Sequence, residues 1–300
     1  MISSACSKLA PALLVVTGAV AHGQQPTFRV SADTVRLDVL VADGRNPITG
    51  LSAADFDVRD NGVRQQVDAV SVADAAHIVI VLDVSGSVQG DALRHLTDAA
   101  DGILQAATSR DRVTMLSFSE HVSLVSIGAG VEGATRAITA QTLAPGGSTS
   151  LHDAVFAGLL ESLDDERSAF MILLTDGIDN VSWLGRDDLL ATASMASVVV
   201  YPVGVRLKAL RDSPDAPLRE RYGLLVGLAE ATGGAIDHAD STQDLGRLFL
   251  DILAEHRQRY VVSYTPSQVQ RGGRHELRVR VSRPGATVRT RRAYVVPGEG

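Results

Sequence analysis

The chain of 300 residues holds one cysteine, Cys6, and two lysines, Lys8 and Lys208. A lone thiol excludes a disulfide framework. Basic excess is also missing. The formal net charge is −7, which argues against a general nucleic-acid binder. No GxxxxGK[ST] loop offers a nucleotide-phosphate cradle, and no GxSxG elbow presents a nucleophilic serine. The histidines at 22, 77, 95, 121, 152, 238, 256 and 275 are scattered, without HExxH spacing. His152 beside Asp153 could orient a nucleophile, but no serine is marked for it, and an enzyme is not expected.

The first residues read as an export signal. Lys8 supplies the positive start, Leu9 to Ala21 the apolar stretch, and Ala19-Val20-Ala21 a cleavage site, with Ala21-His22-Gly23 as the alternative. The stretch is short and broken by Pro11 and Gly18, so no transmembrane span is expected in the mature chain. Cys6 precedes the apolar stretch, whereas a lipoprotein cysteine would follow it. The expected destination is the periplasm, the outer-membrane surface or the medium.

An apolar fraction of 45% suffices for a sizeable core. Period-two patterning fills residues 24–75: Val35, Leu37, Val39 and Val41 alternate, and Asp60-Asn61-Gly62 predicts a tight hairpin turn with Val63 to Val72 as its returning strand. From 76 to 258 apolar strands (77–83, 112–118, 121–126, 169–175, 197–203, 235–238) interleave with helices (88–107, 131–139, 151–164, 186–195, 221–231, 242–258). This predicts an α/β fold with a mostly parallel sheet covered on both faces. Period two returns in 259–300, with turns at Gly272-Gly273 and Pro284-Gly285 and a strand from Thr287 to Val296. The expected architecture is a small β-sandwich built from 24–75 and 259–300, flanking the α/β domain inserted between them. Residues 256–294 hold ten arginines and one acid, Glu276. Their expected role is to coat a solvated sheet face with long stems.

The chemistry sits at strand ends. The apolar run from His77 to Leu82 ends in Asp83-Val84-Ser85-Gly86-Ser87, a D-x-S-x-S pattern. Gly147-Ser148-Thr149 and Leu174-Thr175-Asp176-Gly177 follow at a distance. Ligands of such sheets bind at the carboxyl ends of the strands, where Asp83 and Asp176 fall. Asp83, Ser85, Ser87, Thr149 and Asp176 offer two carboxylates and three hydroxyls. These are hard oxygen donors suited to Mg²⁺, with Mn²⁺ or Ca²⁺ as alternatives. Asp153 is expected to orient the Thr149 loop, and Asp179-Asn180 to form a turn.

These motifs resemble the von Willebrand factor A (VWA) domain and its metal-ion-dependent adhesion site (MIDAS), in which an Asp and two Ser come from the first loop, a Thr from a second and an Asp from a third. Gly50 to Phe56, Asp60-Asn61-Gly62, Tyr264-Thr265-Pro266 and Val288 to Tyr294 further resemble a secreted bacterial VWFA-related family common in Acidobacteria. The resemblance implies a Rossmann-like fold. It also implies that Ser85 and Ser87 bind the cation directly, Thr149 directly or through water, and Asp83 and Asp176 largely through water. Because three of the five donors are neutral, the ion keeps an appetite for a carboxylate from a protein partner. The implied function is exported binding or adhesion. The alternatives are a metal-dependent phosphohydrolase, which would need a second Asp where Ser85 stands, and a periplasmic scaffold that does not use its metal.

Overall fold

The computed structural model describes residues 34–296 apart from 45, 87, 89, 130–145, 162–166 and 206. The export signal, Ser87 and the helix expected at 131–139 lie outside the described residues. In chain order come β1 (Val35–Asp43), β2 (Asn46–Pro47), β3 (Phe56–Asp60), β4 (Val63–Gln65) and β5 (Ala69–Val72). They are followed by β6 (Ala76–Asp83), α1 (Asp91–Ala106), β7 (Arg112–Phe118), β8 (Val122–Ala129), α2 (Leu151–Leu160) and β9 (Ser168–Leu174). Then come α3 (Arg186–Met195), β10 (Val198–Val205), α4 (Leu207–Arg211), α5 (Ala216–Thr232), β11 (Asp237–Ala239) and α6 (Leu245–His256). The chain closes with β12 (Tyr260–Tyr264), β13 (Gly273–Val281), β14 (Thr287–Arg289) and β15 (Ala293–Val296).

The central sheet runs β11-β10-β9-β6-β7-β8, parallel throughout except for the antiparallel edge strand β8. Every residue of β6 is buried, as a strand covered on both faces demands. Ile78, Ile80 and Leu82 face α1 and α6, while Val79 and Val81 face α2, α3 and α5. Helix α1 presents Leu93, Leu96, Ala99, Ala100, Ile103 and Leu104 to the first of these cores, at the three- and four-residue spacing of one helical face. Helix α5 starts five residues before the expected 221. Pro217 lies in its first turn, where an amide hydrogen is not required.

The flanking strands form two antiparallel sheets, β14-β1-β12-β5 and β15-β13-β3-β4, and each mixes strands from both ends of the chain. Leu37, Val39 and Val262 of one sheet meet Phe56, Val58, Leu277 and Val279 of the other in a separate core. The hairpin turn forms as expected, with Asn61 and Gly62 at φ 47° and 82°. Two strands expected to be continuous are broken. Val63–Gln65 pairs with β3, but Ala69–Val72 pairs with β12 in the opposite sheet. Likewise Thr287–Arg289 pairs with β1, and Ala293–Val296 pairs with β13. Strands that switch sheets in this way make the corners of the sandwich. Asp60 is buried among them and accepts hydrogen bonds from Tyr264 (2.9 Å) and Tyr294 (2.7 Å), with His275 at 2.8 Å.

The sandwich meets the helical layer at Arg259. Its guanidinium is fully buried and donates to the Tyr201 hydroxyl (3.0 Å) and to the carbonyls of Asp38 (3.3 Å) and Gly233. This departs from the expectation that the arginine-rich segment only coats a surface. Arg278 and Arg280 do point outward, alternating with buried Leu277 and Val279. Gly233 ends α5 at φ 80°, and its α-carbon faces the backbone of Thr290 so closely that a β-carbon would lie 2.4 Å from it. No other residue fits that corner.

Candidate metal centre

Asp83 is the last residue of β6, and Thr175 and Asp176 follow directly on β9. These strands are neighbours, and the chain leaves β6 toward β7 on one side before returning to β9 on the other. The crevice lies at such a switch point in doubly wound sheets. Two further loops, after β7 and before α2, close around it by backbone hydrogen bonds. Val84 donates to Phe118 (2.9 Å), Gly146 to Val84 (2.9 Å), and Ser150 to Ser119 (2.8 Å). The carbonyl of Gly147 approaches Gly86 to within 3.9 Å of where its β-carbon would stand.

Asp83, Ser85 and Thr149 are 2%, 5% and 4% exposed, and Asp176 is half-buried. The Ser85 amide donates to Asp83 Oδ1 (3.0 Å), and the Thr175 hydroxyl donates to Asp83 Oδ2 (3.1 Å). The Ile178 amide donates to Asp176 Oδ1 (3.0 Å). The structure therefore gathers four of the five expected residues at one end of the sheet, while Ser87 is outside the described residues. Burial pushes the Asp83 carboxyl up, and the charge of Asp176 adds to that; hydrogen bonds from Ser85 and Thr175 pull the other way. None of these neighbours is cationic. Two carboxyls and two hydroxyls at a sheet end, without a balancing positive side chain among Asp83's strongest influences, are chemically suited to a hard divalent cation. Among the described residues no group of three or more His, Cys, Asp or Glu could hold a metal, so any centre here depends on hydroxyl donors.

The support around these donors is richer than the sequence suggested. Thr175 was not singled out, although its hydroxyl fixes Asp83 and accepts the Gly177 amide (3.0 Å). Asn180 is more than a turn residue: its Oδ1 accepts the Thr149 amide (2.7 Å), and its own amide returns to the Thr149 carbonyl (3.0 Å). Asp153 holds the loop after β9 rather than the Thr149 loop, accepting the amides of Trp183 and Leu184, both at 3.0 Å. Asp179 ties the same loop to α2 through the His152 amide (3.1 Å). A serine, threonine or asparagine near a strand end was the available signal, but sequence alone did not reveal its partner.

The family model of the von Willebrand factor type A domain matches residues 77–220. The chain carries a VWA domain. No curated protein matches the chain. Among solved structures, proximal thread matrix protein 1 from the mussel byssus is similar at 16% identity and a TM-score of 0.49, over 66% of this chain and 51% of that one. This chain thus spans about half the length of the mussel protein. That protein has also been solved with a zinc-occupied MIDAS motif. BatB from Bacteroides thetaiotaomicron shares 17% identity over 60% of this chain and 98% of its own, at a TM-score of 0.45. The ArnB paralog VWA2 from Sulfolobus acidocaldarius shares 13% over 89% and 77%, at 0.46. The match covers five of the six strands of the central sheet, all but β11, together with the gathered residues; the strands of the two antiparallel sheets lie on either side of it in sequence. No helix among the described residues is long and apolar enough to cross a membrane.

Proposed function

We propose that the protein is an exported binding module, and not an enzyme, in which the VWA layer of 76–258 is carried on a sandwich of 24–75 and 259–300. Asp83, Ser85, Ser87, Thr149 and Asp176 hold a divalent cation, Mg²⁺ first, and the cation takes a carboxylate from a protein partner. The observation that carries this is that buried Asp83 feels the charge of Asp176 beside neutral hydroxyls, with no cation among the groups that act most strongly on Asp83. A bound cation supplies electrophilic attraction for a carboxylate. The chain's own residues supply its position: Thr175 and the Ser85 amide fix Asp83, and Asn180 fixes the Thr149 backbone. Hydrogen bonds that orient the donors in this way tune metal affinity. Export is supported by Lys8, the apolar stretch and Ala19-Val20-Ala21.

The test is calorimetry and thermal melting of the wild type and Asp83→Ala with Mg²⁺, Mn²⁺, Ca²⁺ and Zn²⁺. At a concentration of ~100 Kd, Mg²⁺ should stabilise the wild type by ~2.7 kcal/mol and leave Asp83→Ala unshifted. An absence of heat and shift with every ion at millimolar concentration would overturn the proposal.

A further inference from the structure

The chain has one tryptophan, Trp183, and its side chain is 98% exposed. Tryptophan is seldom left in water, because its large apolar surface gains most from burial. Trp183 lies in the segment between β9 and α3 that begins with Thr175 and Asp176. That segment is fixed. Asp153 Oδ2 takes the Trp183 amide and Asp153 Oδ1 the Leu184 amide, both at 3.0 Å. The Leu184 carbonyl is 2.9 Å from His152 Nδ1, and the Leu184 side chain packs against the core. Ser182 bonds Asp179 (2.5 Å) and receives the Asp153 amide (3.2 Å). Val181, itself 42% exposed, donates its amide to the Thr149 carbonyl (3.3 Å). The indole is thus held outward on a rigid backbone, one hydrogen bond away from the loop that carries Thr149.

An exposed indole on a fixed backbone has only two side-chain torsions to immobilise on binding. This is the property that makes tryptophan a frequent interface anchor. We infer that Trp183, with Val181 beside it, is the apolar anchor of the partner interface. The partner is then a polypeptide whose acidic side chain is flanked by an apolar recess that accepts an indole. The inference rests on the carboxylate-binding proposal and adds the second half of the recognition. Continuity between the Thr149 loop and the Trp183 segment is what selects this occupant. The cation site takes the acid, and the neighbouring indole requires apolar surface on the same molecule.

The experiment pans a random peptide display library on the full chain in Mg²⁺, elutes with EDTA, and measures the selected peptides by calorimetry and by the emission of the single tryptophan. Binders are expected to carry Asp or Glu flanked by apolar residues and to shift the emission to the blue. They should lose at least tenfold in affinity with Trp183→Ala and only a few-fold with Trp183→Phe. Equal binding to Trp183→Ala would overturn the anchor and leave the cation proposal standing. An equal loss of Mg²⁺ affinity in that variant would also overturn the anchor, by making its role structural. Selected peptides that depend on Trp183 but ignore EDTA would uphold the anchor and sink the carboxylate proposal. Failure to select any binder, with unchanged emission, would overturn both.

Discussion

Thr175→Val keeps the shape of a 3% exposed side chain and removes its hydroxyl. Two bonds go with it. The first is the donation to Asp83 Oδ2 at 3.1 Å, worth roughly 1.5–3 kcal/mol when the acceptor is charged. The second is the acceptance of the Gly177 amide at 3.0 Å, which leaves a buried N–H unpaired at a cost of about 1–3 kcal/mol. The Thr175 amide bond to the Val203 carbonyl (3.1 Å) survives, so the strand end itself stays paired. The losses overlap, and the added methyl returns ~0.8 kcal/mol, leaving a net destabilisation of about 3 kcal/mol. In EDTA the melting temperature should fall by roughly 6–12 °C. With Asp83 freed on one side, Mg²⁺ affinity should drop on the order of 10-fold or more by calorimetry. Thr175→Ser should recover most of both. A Thr175→Val protein within about 0.5 kcal/mol of the wild type, binding Mg²⁺ equally, would refute the assignment of Thr175 as the residue that positions Asp83.

A second prediction concerns pH. Burial holds the imidazole of His256 well below its ordinary range, with the positive charge of Arg259 acting in the same sense. The unfolded chain therefore takes up a proton near pH 6.5 that the folded chain refuses. Stability from this residue is lost as pH falls, by about 1.4 kcal/mol between pH 7.5 and 5.5. Burial raises the nearby Asp38 carboxyl, which acts with the opposite sign, so denaturant melts of the wild type should be compared with His256→Gln. An identical pH slope for the two would disprove it. Changing Arg278 and Arg280 together to Gln should leave stability and partner binding within ~0.5 kcal/mol, and a larger loss, stronger at low salt, would mark a site for an acidic partner there. A chain cut to 76–258 should be less soluble than 24–300, because it strips the Arg259 seam; equal solubility in a sedimentation assay would count against it.

The parallel sheet was legible because continuous apolar runs such as Ile78–Leu82 and period-3.6 faces such as that of α1 belong to different periods. The strand ends then located Asp83 and Asp176. The Asn61-Gly62 turn was legible from its need for positive φ. Sheet identity was not. Period two says which side chains face inward but not which neighbour a strand pairs with, so the crossings at 66–68 and 290–292 were invisible. Nor does composition separate an arginine that coats a face, such as Arg278, from one buried among carbonyls and a tyrosine hydroxyl, such as Arg259. Thr175 was hidden for a related reason: a hydroxyl that acts on another residue's carboxylate leaves its mark only in three dimensions.

The strands that lead into and out of the helical layer are hydrogen-bonded to each other. Val72 pairs with Tyr260, and Ser71 with Val261. Residues 73–75 and 257–259 are the two covalent links between that layer and the sandwich. A pull applied at the loops above Asp83 leaves the layer through both links side by side, each tether carrying part of the load. Because β5 and β12 are antiparallel neighbours held at adjacent ends, the pull draws both in the same direction and passes along the strands into β1 through the β1–β12 ladder, with Arg259 fastening the end nearest the layer. The molecule is accordingly wired as a hook on a doubled cord.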